Sequence, residues 1–233
     1  MKKHSLLIGF MICMLVAGVS ACAKEEAVFR IEDTEISTEQ FNYYISKNRS
    51  DIISQYQENA ELIDEAFWAR KADGEATTAD VLKEKAKQEC LYDQMLLIIA
   101  QKKGIADSHS FEDIRKDMEE ENQERKEKIE SGRIVYGNKS YSVETYMSYY
   151  FSNLIHELMK EMEDQELKFT DEELMQYCLS HNKDLENIEQ GQTIRSVYGL
   201  EYKRFLLDQF IQQQVKESNL TVNRKVYDSL EIS

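Results

Sequence analysis

The chain has 233 residues, with 29 lysines and arginines against 44 aspartates and glutamates, so its formal net charge at pH 7 is −15. A surface this acidic argues against a nucleic acid or an anionic bilayer surface as the main partner, because no basic patch would release counterions. Proline is absent and glycine numbers only eight. With Glu, Lys, Gln and Leu abundant, the composition predicts a mainly α-helical fold.

The first two dozen residues have the features of an export signal. Lys2 and Lys3 give a positively charged start, and an apolar run follows over residues 6–19. That run is too short for a comfortable membrane span, and small residues follow it, as they do in signal peptides. The start of the chain is therefore predicted to direct export.

A cysteine at the end of this signal predicts lipid attachment. The sequence Val19-Ser20-Ala21-Cys22 resembles a lipobox, in which a signal peptidase cuts before a cysteine that receives diacylglycerol. We predict a signal peptide over 1–21, a lipidated Cys22 and a tether over 22–27, which would hold the protein on the extracytoplasmic face of the membrane. Ordinary cleavage beside an unmodified Cys22, or an uncleaved anchor helix, is the alternative.

Strand and helix patterns alternate in the next part of the chain. Residues 28–31 are rich in β-forming side chains and predict a short strand. Ser37-Thr38-Glu39-Gln40 matches a capping box and places a helix start at Ser37. A second short helix is expected over 60–71, broken by Asp73-Gly74.

The longest helix is predicted over 78–103. Thr77 and Asp80 can cap its start, and Gly104 suits its end. Its second half, 95–100, is apolar nearly all round, so we expect this segment at the centre of the core.

The remaining elements follow from caps and from the spacing of apolar residues. They are a charged, solvated helix over 110–130, a loop or small hairpin over 134–141, helices over 142–163, 170–181 and 193–218, and a short strand over 220–222. Residues 28–233 are thus expected to form a single helical domain.

Two cysteines remain beyond the predicted lipidation site. Cys90 and Cys178 both lie in helical patterns among apolar neighbours, where a free cysteine behaves as a small hydrophobic residue. A disulfide between them is the less favoured alternative, because sequence alone does not fix pairing.

No motif indicates catalysis. The segment His156-Glu157-Leu158-Met159-Lys160 begins like the zinc-protease His-Glu-x-x-His helix, but Lys160 stands where the second ligand should be. The chain contains no nucleophile elbow, P-loop or dinucleotide-binding fingerprint. We predict no catalytic residue, metal site or cofactor, and no small-molecule substrate is evident.

Aromatic and methionine side chains are the more informative feature. Tyr and Met suit loose, sequence-tolerant contacts, through amphipathic rings and flexible polarizable chains. The candidate client-binding residues are Tyr44, Phe67, Trp68, Tyr146, Met147, Tyr150 and Phe151. The competing interpretation, and the commoner origin of such a stripe, is plain core.

In their order along the chain, these pieces resemble SurA/PrsA-type extracytoplasmic chaperones. Residues 28–44 are similar to that family's "V-x-I-x-G-x-x-I-S-x-x-E-F-x-Y" opening, with Asp33-Thr34 where the turn usually has glycine. Residues 82–105 are similar to its long helix with the "A-x-x-x-G-I" exit. The segment 169–178 looks like its "I-T-D-E-E-L-x-x-Y-Y" helix, and 222–228 resembles its closing segment.

The resemblance implies a fold and a function. In this family the N-terminal strand and the C-terminal tail meet in a minor β element, and helices frame an apolar cradle for unfolded clients. Many members insert a parvulin prolyl isomerase domain after the third motif, but here only the polar residues 182–192 precede the last long helix. No parvulin-like "R-H-I-L" segment is present either. The implied protein is therefore a chaperone scaffold without the isomerase.

The expected function is that of a membrane-anchored, non-enzymatic, chaperone-like binder of exported unfolded polypeptides. Two alternatives stay open. One is a structural or dedicated-partner surface lipoprotein, and the other is a divergent prolyl isomerase.

Overall fold

The computed structural model describes residues 26–58, 61–108 and 110–232. The helices in these ranges are α1 (Thr38–Tyr56), α2 (Glu65–Ala69), α3 (Thr78–Lys102), α4 (Phe111–Glu130), α5 (Val143–Glu161), α6 (Asp171–Ser180), α7 (Ile194–Glu217) and α8 (Arg224–Ser229). The strands are β1 (Phe29–Ile31), β2 (Thr34–Ile36), β3 (Lys71–Asp73), β4 (Ala76–Thr77) and β5 (Leu220–Val222). The predicted mainly-α fold is confirmed.

The predicted signal peptide and Cys22 lie outside the described residues, and none of the described helices is long and apolar enough to cross a membrane.

A small sheet joins the two ends of the described chain. Its strand order is β2-β1-β5, and both pairings are antiparallel, with Phe29 opposite Val222 and Ile31 opposite Leu220. The β1–β2 turn places Glu32 at a φ of 51°, in the left-handed region. The Glu32 backbone N–H donates to the Asn219 carbonyl at 3.1 Å, which fixes this turn against the chain that leads into β5. The minor β element implied by the resemblance is therefore present.

Side-chain caps begin the longer helices where the sequence predicted them. The N-cap residues are Ser37, Thr77, Ser110, Ser142, Thr170 and Thr193, and each side chain accepts a backbone N–H three residues on. Such caps satisfy backbone donors that the first helical turn leaves without partners. At Ser37 the box is incomplete, because the Gln40 side chain donates to Gln94 Oε1 at 3.1 Å instead.

Two short elements differ from the predictions. The helix expected over 60–71 is only the five-residue α2, and its last predicted residue, Lys71, begins the hairpin of β3 and β4. The turn of that hairpin uses Gly74 at a φ of 59°, which glycine adopts without strain. The tail also forms the helix α8, which the sequence did not predict. Its N-cap is Asn223, whose side chain accepts the Val226 N–H.

The core is built around α3, as its apolar second half predicted. Residues 95–100 are between 0 and 6% exposed. They belong to one large cluster that includes residues of the sheet, α1, α5 and α7. A smaller cluster between α6 and α7 contains Tyr177, Cys178 and Tyr202. Cys90 lies in the large cluster and Cys178 in the smaller one, and both are free thiols, so the alternative disulfide is not formed.

The interface between α1 and α3 also carries a row of polar pairs, which we call the polar seam. In order along α1 the pairs are Gln40 with Gln94, Tyr44 with Asp93, Asn48 with Glu89, and Asp51 with Lys85. The first three positions on α1 are buried, whereas Asp51 is exposed. Buried polar groups are tolerated when each is hydrogen-bonded, so these pairs fix the register of the two helices.

Candidate functional site

Five of the seven candidate client-binding residues are in the core. Tyr44, Phe67, Trp68, Met147 and Phe151 are between 1 and 9% exposed. All five belong to the large hydrophobic cluster around α3. The hypothesis that they line an open apolar cleft is therefore wrong in this structure, and the plain-core interpretation holds for them.

The contacts of the buried rings give the physical reason. Tyr44 donates its hydroxyl hydrogen to Asp93 of α3 at 3.0 Å. Phe67 and Trp68 pack edge to face with ring centroids 4.8 Å apart, and the Arg49 guanidinium lies 4.6 Å from the Trp68 ring. Burial of rings in such pairs stabilises the fold and removes them from contact with a partner.

The other two candidates, Tyr146 and Tyr150, are partly exposed on α5. The Tyr146 ring lies 5.7 Å from the Tyr141 ring, and Tyr150 packs edge to face on Phe151. Burial raises the pKa of both phenols, and the Asp117 carboxylate on α4 raises each further. Both tyrosines therefore remain neutral over the physiological range.

These two tyrosines belong to a pair of packed helices, α4 and α5, which we call the arm. The arm begins at Phe111, whose ring lies 5.5 Å from the Tyr43 ring of α1. One turn further on, Arg115 forms an ion pair with Glu39 in the first turn of α1. At the other end of α4, residues 131–142 form the connection to α5, which we call the tip loop.

The tip loop contains no helix or strand, yet α4 holds its backbone in place. The Arg125 guanidinium donates to the carbonyls of Asn138 at 2.8 Å and Tyr136 at 3.1 Å, and to the Tyr141 hydroxyl at 3.1 Å. The Asn122 side chain donates to the Tyr141 carbonyl at 2.9 Å and accepts the Tyr141 N–H at 2.6 Å. Because Arg125 is also paired with Glu121, its planar fork is held in the geometry that these bonds require.

Large apolar side chains are nevertheless exposed on and beside this ordered loop. Ile134 is 77% exposed and Tyr136 is 84% exposed, while Ile129 and Tyr149 on the flanking turns are 41% and 58% exposed. A single exposed apolar residue is ordinary, but several in one loop and its flanks are typical of an interaction surface. We call these four residues the apolar tip.

A cleft of about 520 Å³ lies between α4 and the tip loop. Lys126 and Ile129 line it from α4, and Lys139 and Ser140 line it from the loop. Neither lysine has a carboxylate oxygen within 4 Å among the described residues, whereas Arg125 and Lys128 do. The apolar tip is thus bordered by cations without an ion-pair partner.

A second place that could carry chemistry is Asp93 in the polar seam, because perturbed pKa values often mark functional sites. Burial raises the pKa of Asp93 from 3.8 to about 7. The charge of Lys47, the Tyr44 hydroxyl and Arg204 each lower the pKa in part, and the charge of Glu89 raises it further. Asp93 has no cationic side chain within 4 Å in the described part of the chain, so it acts as a polar member of the core.

Metal binding has no support in the described ranges, where no group of three or more His, Cys, Asp or Glu side chains could hold an ion. The segment from His156 to Lys160 lies within α5, and Leu158 in its middle is fully buried. His156 itself is on the surface, beside a small cleft lined also by Lys160 and Leu200.

The sequence missed the apolar tip. Ile134, Val135 and Tyr136 lie between Gly132 and Gly137 and were interpreted only as a loop or hairpin. The available signal was the position of bulky apolar residues within a glycine-bounded connection, where polar residues usually predominate. Both glycines have positive φ angles, of 73° and 76°, so each end of the segment turns sharply.

Comparisons with protein-family models, with curated proteins and with solved structures found no match to this chain.

Proposed function

We propose that this protein is a membrane-anchored, chaperone-like lipoprotein that binds exported, incompletely folded polypeptides and has no prolyl isomerase activity. The observation that carries the proposal is the ordered tip loop, which exposes Ile134 and Tyr136 while its backbone is held by Arg125 and Asn122. Order together with apolar exposure indicates a surface prepared for a partner.

The free energy available at such a surface is considerable. Burying one Ile or aromatic side chain stabilises a protein or complex by about 1.5–3 kcal/mol. The apolar tip forgoes that gain in the free protein, and a bound chain would recover part of it. Because the loop is already held, little conformational entropy would be lost on binding.

The chemistry of the apolar tip suits clients of varied sequence. Isoleucine contributes an aliphatic surface, and tyrosine contributes a ring that packs with apolar groups while its hydroxyl stays hydrated. The α4 helix behind it carries nine acidic and five basic residues. An acidic support of this kind keeps a complex with an apolar chain in solution.

The proposed lipid anchor would act close to the base of the arm. The Thr38 hydroxyl donates to the Glu26 carbonyl at 3.3 Å, so the first described residues leave the fold beside the start of α1. Arg115 pairs with Glu39 at the same helix start. A lipidated Cys22 would then hold the arm near chains that emerge at the membrane, where effective concentration compensates for modest affinity.

A light-scattering assay tests the proposal. The chain from residue 22, with Cys22→Ser to remove the lipidation site, is mixed with a reduced client that aggregates. We expect suppression of scattering when the two are near stoichiometric. No suppression at several-fold excess would contradict chaperone-like binding.

Capture of bound proteins from cells separates this function from that of a dedicated-partner lipoprotein. The proposed function predicts many unrelated exported polypeptides. One recurring folded protein would instead support the dedicated-partner alternative. The matched control is the Ile134→Ser/Tyr136→Ser variant, which should lose the captured proteins in either case.

A further inference from the structure

The charge of the tip loop and of the end of α4 differs from that of the rest of the chain. Residues 126–141 contain four basic and two acidic side chains, although the whole chain carries a net charge of −15. Lys126, Arg133 and Lys139 have no carboxylate oxygen within 4 Å in the described ranges. In a chain with excess carboxylates, cations that remain unpaired in one place are available to an external anion.

The local sequence explains why Lys126 stays unpaired. The position four residues before it is Asn122, which is occupied by both of its hydrogen bonds to Tyr141. Glu130 lies four residues after it, in the less favourable order of charges for a helix. Lys128, by contrast, pairs with Glu124 four residues earlier, at 3.1 Å.

The cleft combines these cations with an apolar surface. Lys126 of α4 and Lys139 of the tip loop line it, and the apolar side chain of Ile129 is part of the same lining. Two carboxylates also border the cleft: Glu119, which lies 3.9 Å from Arg115, and Glu130. A ligand for this cleft would therefore present a carboxylate to the lysines and an apolar side chain to Ile129.

We propose that this cleft binds polypeptide segments in which an acidic residue lies next to an apolar or aromatic residue. The inference deepens the proposed function and rests on it, since it names the class of client segment that the arm selects. A client bound in this way would place its carboxylate between Lys126 and Lys139 and continue across the apolar tip. An anionic bilayer is the less favoured occupant, because the nine acidic residues of α4 would approach it together with the loop.

The test measures binding of three labelled peptides to the full chain, purified in non-ionic detergent, by fluorescence anisotropy. The peptides share the same Ile and Tyr residues and differ only in flanking residues, which are Asp, Asn or Lys. We expect the Asp peptide to bind about fivefold more tightly than the Asn peptide, with the difference lost at high salt. The Lys peptide should bind most weakly.

Charge reversal identifies the cleft as the origin of the preference. Lys126→Glu/Lys139→Glu should abolish the preference for the Asp peptide, and the milder Lys126→Gln/Lys139→Gln should reduce it. The matched control, Lys102→Glu/Lys225→Glu, makes the same change of charge at two exposed lysines of α3 and α8 and should leave the preference intact. Thermal unfolding confirms that each variant is folded.

Each outcome separates this inference from the proposed function. Equal binding of the Asp and Asn peptides, or a preference lost equally in the control, overturns the inference while aggregation suppression still supports the function. Absence of both peptide binding and aggregation suppression overturns both. Binding of the Cys22→Ser chain to phosphatidylglycerol vesicles, if tighter than binding of the Asp peptide and abolished by Lys126→Glu/Lys139→Glu, would assign the cleft to a membrane instead.

Discussion

The polar seam and the apolar tip depart from the usual distribution of side chains in opposite directions. In the seam, Asp93 and Gln94 are polar and buried, yet each meets a partner on α1. At the tip, Ile134 and Tyr136 are apolar and exposed, although the backbone that carries them is well held. The polar groups of the seam find hydrogen-bond partners within the fold, whereas the apolar side chains of the tip are not covered by it.

This difference distinguishes unusually placed residues that stabilise the fold from those that serve binding. A buried polar group is costly unless it is paired, so a paired one is explained by the register that it fixes. An ordered group of exposed apolar side chains, by contrast, is typical of a surface that a partner covers. The comparison predicts that changes in the seam alter stability, and that changes at the tip alter binding.

The largest expected effect is on stability, in the seam. Tyr44→Ala removes a fully buried ring and the hydroxyl that donates to Asp93, and should lower the free energy of unfolding by roughly 3–5 kcal/mol. Tyr149→Ala, at a ring that is 58% exposed, should change it by less than about 0.5 kcal/mol. Urea unfolding followed by circular dichroism measures both. Similar losses at the two tyrosines would remove the distinction between seam and tip.

The second prediction concerns pH and Asp93. Its pKa in the folded protein, about 7, lies above the ordinary 3.8, so the folded state keeps a proton that the unfolded state releases. The free energy of unfolding should therefore fall as pH rises between these values, by up to about 3 kcal/mol from pH 5 to 8. Several carboxyls, including Asp51 and Asp80, have lowered pKa values and affect stability in more acidic solution instead.

Asp93→Asn tests this sign, because the amide cannot ionise and can still accept the Tyr44 hydroxyl. We expect the free energy of unfolding of this variant to depend less on pH. Its excess over the wild-type free energy of unfolding should be largest at pH 8. Denaturant unfolding at pH 5, 6.5 and 8 gives the slope. A variant that follows the wild-type curve would show that Asp93 does not carry the dependence.

The smallest expected change in global stability is at Arg125. Arg125→Lys keeps the charge but loses the planar fork that contacts the carbonyls of Tyr136 and Asn138. The free energy needed to open the tip loop locally should therefore fall by about 1–2 kcal/mol. Hydrogen exchange should quicken at the backbone N–H of Tyr141, while the core of α3 keeps its protection. Arg133→Lys, at an exposed residue of the same loop, is the matched control. Unchanged exchange in Arg125→Lys would mean that the loop is held by other contacts.

Local rules predicted much of the fold. The predicted starts of six helices lie within a residue of their Ser or Thr N-caps. Capping motifs predicted three of them, at Ser37, Thr77 and Thr170, because N-capping is decided by the cap and the three residues that follow it. The burial of residues 95–100 followed from their apolar character on every side. The pairing of β1 with β5 came from the resemblance, since residues so distant in sequence carry no local signal of contact.

Other features depend on tertiary context. Tyr44 and Met147 lie on periodic stripes, and a stripe does not reveal whether another helix or solvent covers it. The short α8 is stabilised by residues distant in sequence, since the Tyr227 ring lies 5.5 Å from the Phe29 ring and 5.7 Å from the Phe41 ring. The position of Ile134 and Tyr136 between two glycines was a signal, but their exposure also depends on how Arg125 and Asn122 hold the loop, which the sequence does not show.

The most direct test of the central claim compares Ile134→Ser/Tyr136→Ser with the wild type in two assays on the same preparations. We predict that the variant loses most of its suppression of client aggregation, by about fivefold or more, since it removes two apolar contacts of a client. Its free energy of unfolding should stay within about 0.5 kcal/mol of the wild type, because both side chains are exposed. Undiminished suppression by a variant of normal stability would contradict the claim that the apolar tip binds clients.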